Sequence, residues 1–335
     1  MSNFPNHVLV TDFAWENLDI EQATLNRGGY KLKVAKTGSI PELCYLAKDA
    51  LAILTNWKTV APEVLQNAPH CQIVSRYGVG VDNIAVQTAT ELGILVTNVP
   101  DYCIDEVSDH ALALLLACAR GIVRYVRSTQ QGEWALRAGF SLPRLRGQTV
   151  GLVGFGNTAQ ALFPKLVGLG MRVIAYTPRI ATNALPAPHH STRNLTELLQ
   201  ASDYVSLHLP ATSETAGIVN YAFLAQMKRG AYLINTARGA LIDEAALLDA
   251  LTHGQIAGAA LDVLQIEAAY TNNPLLSLPN VIVTPHAAFF STASIPELQQ
   301  KAAQHVLDVL CGSQTGNVIN PLVLQQKNLR AKWKS

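Results

Sequence analysis

The sequence predicts an α/β protein of two domains, each a doubly wound parallel sheet. Three observations predict it. Short apolar runs rich in β-branched residues alternate with helical segments along most of the chain. A glycine-rich stretch, VGLVGFGNTAQALFPKLVGLGMRVIAYTP from Val150 to Pro178, lies between two such runs at βαβ spacing. The length, 335 residues, exceeds what one ordinary core organises.

In residues 1–100 strands are expected at His7 to Val10, Leu32 to Ala35, Leu51 to Leu54, Gln72 to Ser75 and Ile94 to Thr97. Each is followed by Gly, Asn, Asp or Pro punctuation. The loop Arg76 to Asn83 (RYGVGVDN) carries Gly78 and Gly80. It can expose consecutive backbone N–H groups to a carboxylate, or simply turn the chain from strand to helix; the residues alone leave both open. Pro100 and Asp101 break the chain. Cys103 to Arg120 then reads as a long helix, apolar nearly all round and ended by Gly121. Such a helix is buried, either between domains or against another subunit. Ile122 to Trp134 reads as a second helix, basic and more exposed.

Thr149 to Val153 is short and apolar enough for a buried parallel strand. Gly154 turns the chain off it, and Gly156 lets a pyrophosphate approach the backbone. Ala159 replaces the third glycine of G-x-G-x-x-G. A helix from about Asn157 presents its free N–H groups and positive dipole end to the phosphates. Pro164 falls inside that helix, removes one donor and should kink it. Strands follow at Arg172 to Tyr176, Asp203 to Leu209, Tyr232 to Thr236, Ala257 to Val263 and Val281 to Thr284, giving a six- or seven-stranded sheet. Asn194 to Glu197 (NLTE) makes a capping box, and Leu241 to Thr252 a helix ending near Gly254. Ser294 to Glu297 caps one more helix, running to Cys311 and stopped by Gly312. No strand precedes it, so it is expected to pack back on the first domain.

Composition narrows the function. Hydrophobic content of 49% and charged content of 15% exclude a disordered chain. A net charge of +1 argues against nucleic acid as the main partner, which needs concentrated Lys and Arg. The longest strictly apolar run, Ala111 to Ala119, is too short to span a bilayer, so no membrane role is expected. The opening MSNFPNHVLV lacks the pattern of a signal peptide. The five cysteines are scattered without C-x-x-C spacing, which reads as reduced cytoplasmic thiols and no metal site.

Three strand ends carry polar groups that a fold alone does not need: Arg238 in NTARGALID, Glu267 in LDVLQIEAA and His286 in VTPHAAFF. The carboxyl ends of strands in an open α/β sheet face the ligand crevice. There an Arg can hold a carboxylate in a bidentate fork, a His can exchange the proton on a substrate oxygen, and a Glu can orient the imidazole. Each also has a plain reading: an Arg capping a helix, a Glu on a loop, a His satisfied by a carbonyl.

The chain resembles the D-isomer-specific 2-hydroxyacid dehydrogenases over nearly its whole length. The segments that carry the resemblance are SRYGVGVDNI, VTNVPDYCIDEVSDHALALLLACAR, GLVGFGNTAQ, SLHLPATSETAGIVN, LINTARGALIDEAALLDAL, AGAALDV and NVIVTPHAA, in the family's order. DYCIDEVSDHALALLL and HAAFFSTAS look most like the branch of the C-terminal-binding-protein-type dehydrogenases. The resemblance implies a flavodoxin-like substrate domain, residues 1–101 plus 291–335, with a Rossmann dinucleotide-binding domain, residues 102–290, inserted into it and the active site in the cleft. It implies that Arg238, Glu267 and His286 are the catalytic trio, exchanging a hydride between a nicotinamide dinucleotide and a small 2-oxo or D-2-hydroxy acid. Arg76, Val79 and Gly80 match the substrate-carboxylate loop, and Phe289 and Phe290 stand where Trp or Tyr is usual, which suggests an apolar substrate pocket. The long helix from Cys103 resembles one that pairs subunits, so a homodimer through the Rossmann domain is expected. A dinucleotide-sensing or corepressor-like scaffold, and a dehydrogenase of formate or phosphite, are the competing readings; the intact trio favours the 2-oxo acid enzyme.

Carried over by motif position, the resemblance implies cofactor contacts at Gly154, Phe155, Gly156, Asn157 and Thr158 for the pyrophosphate, and at Tyr176, Thr177, Pro178 and Arg179 near the adenosine ribose. His208, Leu209, Pro210 and Thr215 lie along the dinucleotide, and Thr236, Ala237 and Asp262 lie with Arg238 and His286 around the nicotinamide. Two departures matter. The usual E-x-E-P near the catalytic Glu reads Gln265-Ile266-Glu267-Ala268, and the usual Asp after Tyr176 is Thr177. No Asp or Glu occurs between Gly170 and Arg193, so nothing there repels a 2′-phosphate; NADP(H) is expected at least as readily as NAD(H).

Overall fold

The computed structural model describes residues 6–134, 142–177, 185–267 and 270–333. The chain divides into two compact units. One comprises the chain up to Cys103 and again from Ser291; the other is Ile104–Phe290.

The first unit alternates β1 (His7–Val10), α1 (Asp19–Asn26), β2 (Lys31–Val34), α2 (Ile40–Ala47), β3 (Ala50–Thr55), α3 (Pro62–Gln66), β4 (Ile73–Arg76), α4 (Val86–Glu91) and β5 (Leu95–Thr97). The strands form a parallel sheet in the order β2-β1-β3-β4-β5, the doubly wound order expected. Leu9, Ile53, Val74 and Val96 enter a core with Leu43, Val64 and Leu65 from one helical layer and Ile94 from the turn before β5. Each such fully buried aliphatic side chain contributes on the order of 2 kcal/mol by its removal from water. Register pairs Thr55 with Arg76 and Ser75 with Thr97, so the loops after β3, β4 and β5 gather at one edge.

The last helix of the chain, Ser294–Leu310, closes the other face of this sheet. The Ala302 carbonyl accepts from Ser75 Oγ at 3.1 Å, and Gln299 Nε2 donates to Glu21 of α1 at 2.8 Å. The cap differs from expectation. Ser294 lies inside the helix, and Ser291 Oγ accepts from the Ala293 and Ser294 amides at 3.2 and 2.9 Å. Proline at position 296 is suited to a first turn, where no N–H is needed.

The second unit opens with α5 (Ile104–Ala119) and α6 (Ile122–Gln130), separated by Gly121 at φ 61°. It continues with β6 (Thr149–Val153), α7 (Asn157–Gly168), β7 (Arg172–Tyr176), β8 (His190–Thr192), α8 (Leu195–Ala201), β9 (Tyr204–Leu207), α9 (Tyr221–Gln226), β10 (Tyr232–Asn235), α10 (Glu244–Thr252), β11 (Gly258–Leu261) and β12 (Val281–Val283). The helix closing the first unit is therefore α11. Seven parallel strands stand in the order β12-β11-β10-β9-β6-β7-β8. The order reverses between β6 and β9, where the loops after both strands diverge and leave a crevice. Ala111, Leu114, Leu115 and Cys118 repeat at helical spacing on α5 and pack with Val150, Leu152, Leu162 and Ile234.

Three local details depart from expectation. β8 and α9 form where no element was expected; Asn220 caps α9 through the Ala222 and Phe223 amides. The Asn194 box is half formed: Asn194 accepts from the Glu197 amide, but the Glu197 carboxylate turns to Thr192 Oγ1 at 2.6 Å and His190 Nε2 at 3.1 Å. Helix α7 continues through Pro164 without a break.

Candidate active site

The glycine-rich turn has the geometry its residues dictate. Gly154 follows β6 at φ 96°, and a Cβ there would stand 2.5 Å from the His208 carbonyl oxygen. Only glycine permits both. Gly156 is the N-cap of α7 with no side-chain cap, and a Cβ at that position would meet open space. The first amides of α7, at Asn157 and Thr158, thus border a space that a pyrophosphate can enter. Ala159 is fully buried in the core beneath, as close helix–strand packing requires. Phe155 stacks edge-on against Phe163 with centroids 6.2 Å apart.

At the end of β7, Tyr176 is half-buried and Thr177 nearly buried, its amide donating to the Thr192 carbonyl at 3.3 Å. Pro178 and Arg179 lie outside the described residues. Across the switch point, the His208 amide donates to the Val153 carbonyl at 2.8 Å, and its Nε2 meets Ser206 Oγ at 2.9 Å. Burial pushes the His208 imidazole down to about 4, so it is neutral near pH 7. Leu209 is half-buried and Pro210 exposed. Thr215 Oγ1 donates to the Pro210 carbonyl at 2.6 Å and accepts from the Thr212 amide at 2.8 Å, which closes the loop.

Arg238, Glu267 and His286 stand on the turns after β10, β11 and β12. Asn235, buried at the end of β10, accepts from the Ala237 amide at 2.9 Å and donates to the Arg238 carbonyl at 2.8 Å. This fixes Thr236, Ala237 and Arg238 in one turn, with Arg238 Nη1 donating to the Ala237 carbonyl at 2.7 Å. The buried Thr236 Oγ1 has no hydrogen-bond partner among the described residues. Gly239 is packed so closely on the next turn that a Cβ would lie 2.0 Å from the Leu264 carbonyl oxygen. That contact joins the Arg238 turn to the loop leading to Glu267.

Both Glu267 carboxylate oxygens lie 3.0 Å from His286 Nδ1. The pair is partly exposed, at 30% for the imidazole and 45% for the carboxylate. With Nδ1 engaged, Nε2 is the nitrogen left for a substrate oxygen. His286 has φ 53°, a left-handed conformation rare outside glycine. Phe289 packs edge-on against its ring at 6.1 Å, and Phe290 is 64% exposed.

Asp262, which the resemblance puts near the nicotinamide, follows β11 with its carboxylate buried. Oδ1 accepts from Thr284 Oγ1 at 2.5 Å and from the Ala287 amide at 3.0 Å; Oδ2 accepts from the Ala288 amide at 2.9 Å. Burial opposes its charge, but these bonds and one from His110 prevail and hold the carboxyl below its ordinary range. Its evident task is to hold the turn that carries His286.

The first unit, taken by itself, holds a second group of the residues singled out from the sequence. Arg76, at the end of β4, directs Nη1 to Asn56 Oδ1 at 3.1 Å and to its neighbour's carbonyl at Tyr77. The Gly78 carbonyl accepts from the Val99 amide at 3.0 Å and the Val79 carbonyl from Asn98 Nδ2 at 2.6 Å. The carbonyl edge of the loop is thereby occupied, while the Val79 and Gly80 amides donate to no other described group. Asp12 organises the neighbouring loop by accepting from the Asn56, Trp57 and Lys58 amides at 3.1, 2.8 and 3.2 Å. Asp12, Asn56 and Asn98 act on loops that only the sheet brings near, whereas Asn235 ties residues two and three positions further along the chain. Among the described residues no three His, Cys, Asp or Glu side chains gather to hold a metal, and no helix is long and apolar enough to cross a membrane.

Residues 112–288 match the family profile described as D-isomer specific 2-hydroxyacid dehydrogenase, NAD binding domain. The chain belongs to this dehydrogenase family. The D-3-phosphoglycerate dehydrogenase of Mycobacterium tuberculosis (strain ATCC 25618 / H37Rv) is 41% identical over 260 residues, 78% of this chain and 48% of that protein. The chain thus spans about half the length of the first curated relatives it matches. The glyoxylate reductase of Pyrococcus furiosus is 38% identical over 283 residues, 83% of this chain and 84% of that protein. Among solved 2-hydroxyacid dehydrogenase structures, a Sinorhizobium meliloti NADPH-dependent glyoxylate/hydroxypyruvate reductase with NADP and malonate superposes with TM-score 0.84 at 27% identity, covering 99% of both chains. An Aquifex aeolicus D-lactate dehydrogenase with NAD and lactic acid superposes with TM-score 0.83 at 26% identity, covering 94% of this chain and 99% of that one. For a dehydrogenase of this family the residues fit a nicotinamide dinucleotide: the Gly154 turn, the uncapped first turn of α7 and the unpartnered buried Thr236 hydroxyl are features such a ligand satisfies.

Proposed function

We propose that this protein reduces a small 2-oxo acid to the D-2-hydroxy acid, or runs the reverse, with a nicotinamide dinucleotide that supplies or takes up the hydride. The observation that carries the reading is the Glu267–His286 pair, both carboxylate oxygens 3.0 Å from Nδ1, on turns of the same unit as Arg238 and the glycine-rich turn. In this reading Arg238 holds the substrate carboxylate; the Val79 and Gly80 amides of the first unit, with Arg76, are by themselves a further group suited to a carboxylate. His286 Nε2 delivers a proton to the carbonyl oxygen during reduction and removes it during oxidation. Glu267 keeps the imidazole turned with Nε2 outward. Phe289 and Phe290 offer an apolar wall for the substrate side chain.

We further propose that NADP(H) serves at least as well as NAD(H). Thr177, at the end of β7, stands where an acid would repel a 2′-phosphate, and Arg179 two residues on is a positive partner by sequence. The exposed apolar Ile122 and Val126 on α6 support a homodimer through this unit. The test is a panel of short 2-oxo acids, with formate and phosphite in the oxidative direction, against both cofactors. Turnover of 2-oxo acids, with kcat/KM for NADPH equal to or above that for NADH, supports the reading. Much higher kcat/KM with NADH overturns the cofactor assignment. Thr177→Asp with Arg179→Ala should shift preference toward NADH.

A further inference from the structure

The helix α5 was read from sequence as an apolar packing element, yet it delivers one polar side chain to the neighbourhood of His286. His110 Nε2 lies 2.9 Å from Thr284 Oγ1 and 3.4 Å from Asp262 Oδ1. Thr284 has a single hydroxyl proton, and at 2.5 Å from the enclosed Asp262 carboxylate that proton is committed to Oδ1. Thr284 therefore accepts from His110, and Nε2 of His110 is the protonated nitrogen. Beyond Thr284, Asp262 grips the next turn with its carboxylate on the Ala287 and Ala288 amides and with its carbonyl on the His286 amide at 2.8 Å. These bonds surround His286, whose φ of 53° needs to be held against its own preference.

We propose that His110 is a positioning residue for His286, acting through Thr284 and Asp262 to fix the turn that aims the imidazole. This rests on the catalytic reading of His286 given above. A buried carboxylate needs its lone pairs filled. Removing the His110 donor withdraws the group that holds Thr284 Oγ1 and borders Asp262 Oδ1, so the turn is held less tightly while the sheet beneath it stays intact. A purely structural histidine would instead affect stability and all kinetic constants together.

The test compares His110→Leu, which removes the donor, with His110→Gln, whose amide nitrogen can reach the Nε2 position. His286→Gln is run in parallel. In the cofactor-free protein the His286 imidazole signal is followed by NMR. His110→Leu should lower kcat by roughly tenfold to a hundredfold, the range for a misplaced reacting group, with KM and cofactor Kd within about twofold. It should also shift or broaden the His286 signal, and His110→Gln should restore both readouts. In the His286→Gln background, His110→Leu should have no further effect on kcat. Full kcat and an unmoved His286 signal in His110→Leu would overturn the proposal. So would parallel loss of melting temperature, KM and kcat that His110→Gln does not mend. If His286→Gln itself keeps wild-type turnover, the catalytic reading fails instead, and the NMR comparison still decides whether His110 holds the turn.

Discussion

His286, Glu267 and Arg238 each owe their place to a buried neighbour that does no chemistry. Asp262 pins the His286 turn, Asn235 ties the Arg238 turn, and Gly239 lets the Arg238 turn lie against the loop leading to Glu267. The roles predict different kinetic signatures. Arg238→Lys keeps the charge but not the planar fork, so KM for the 2-oxo acid should rise about tenfold or more. Arg238→Ala should lose on the order of a hundredfold in kcat/KM. Glu267→Gln should fall mainly in kcat if, as proposed, the carboxylate acts by orienting the His286 ring. Steady-state kinetics of the three variants distinguishes these; unchanged KM in Arg238→Lys would count against carboxylate binding by Arg238.

At the scale of elements, the strands and the glycine-rich turn were legible because their signals are local. Apolar runs of β-branched residues and the glycine spacing announce β6 and α7, and the expected strands shift by only a residue or two at their ends. What stayed hidden is non-local. β8 is three residues long and exists through its pairing with β7. The final helix takes its cap from Ser291, three residues before the serine that the motif suggested. His110 and Thr284 meet across 174 positions of sequence. Gly239 belongs to this group, because its need for glycine comes from the Leu264 carbonyl. Gly239→Ala should force the two turns apart and lower both the melting temperature and kcat, whereas Gly156→Ala, with open space around it, should leave folding intact and weaken dinucleotide binding. Thermal melts with cofactor titration separate the two; equal melting losses would contradict the assignment.

Across the whole molecule, stability and activity rest on different polar clusters. In the first unit Glu21 is fully buried, with Gln299 Nε2 donating to it at 2.8 Å beside Trp15 and Tyr77, whose rings meet edge-on at 4.7 Å. Burial raises its carboxyl above the ordinary range, although the hydrogen bonds around it pull the other way. The folded protein then keeps a proton that the unfolded chain has lost. Stability from this group is therefore greatest below the ordinary carboxylate range and falls as pH rises through the raised value. Glu21→Gln removes that dependence, so its melting temperature relative to wild type should climb as pH rises above the ordinary carboxylate range. A difference that stays constant with pH would contradict this. Such clusters were beyond sequence reading because α1, β4 and α11 come together only in the folded sheet. The central claim concerns the other cluster, and one measurement tests it most directly: oxidation of NADPH and NADH by wild type and by His286→Gln with short 2-oxo acids, with the chirality of the product determined. The account predicts a D-2-hydroxy acid from wild type and a loss on the order of a hundredfold or more in the folded variant. An L-product, or wild-type turnover from His286→Gln, would contradict it.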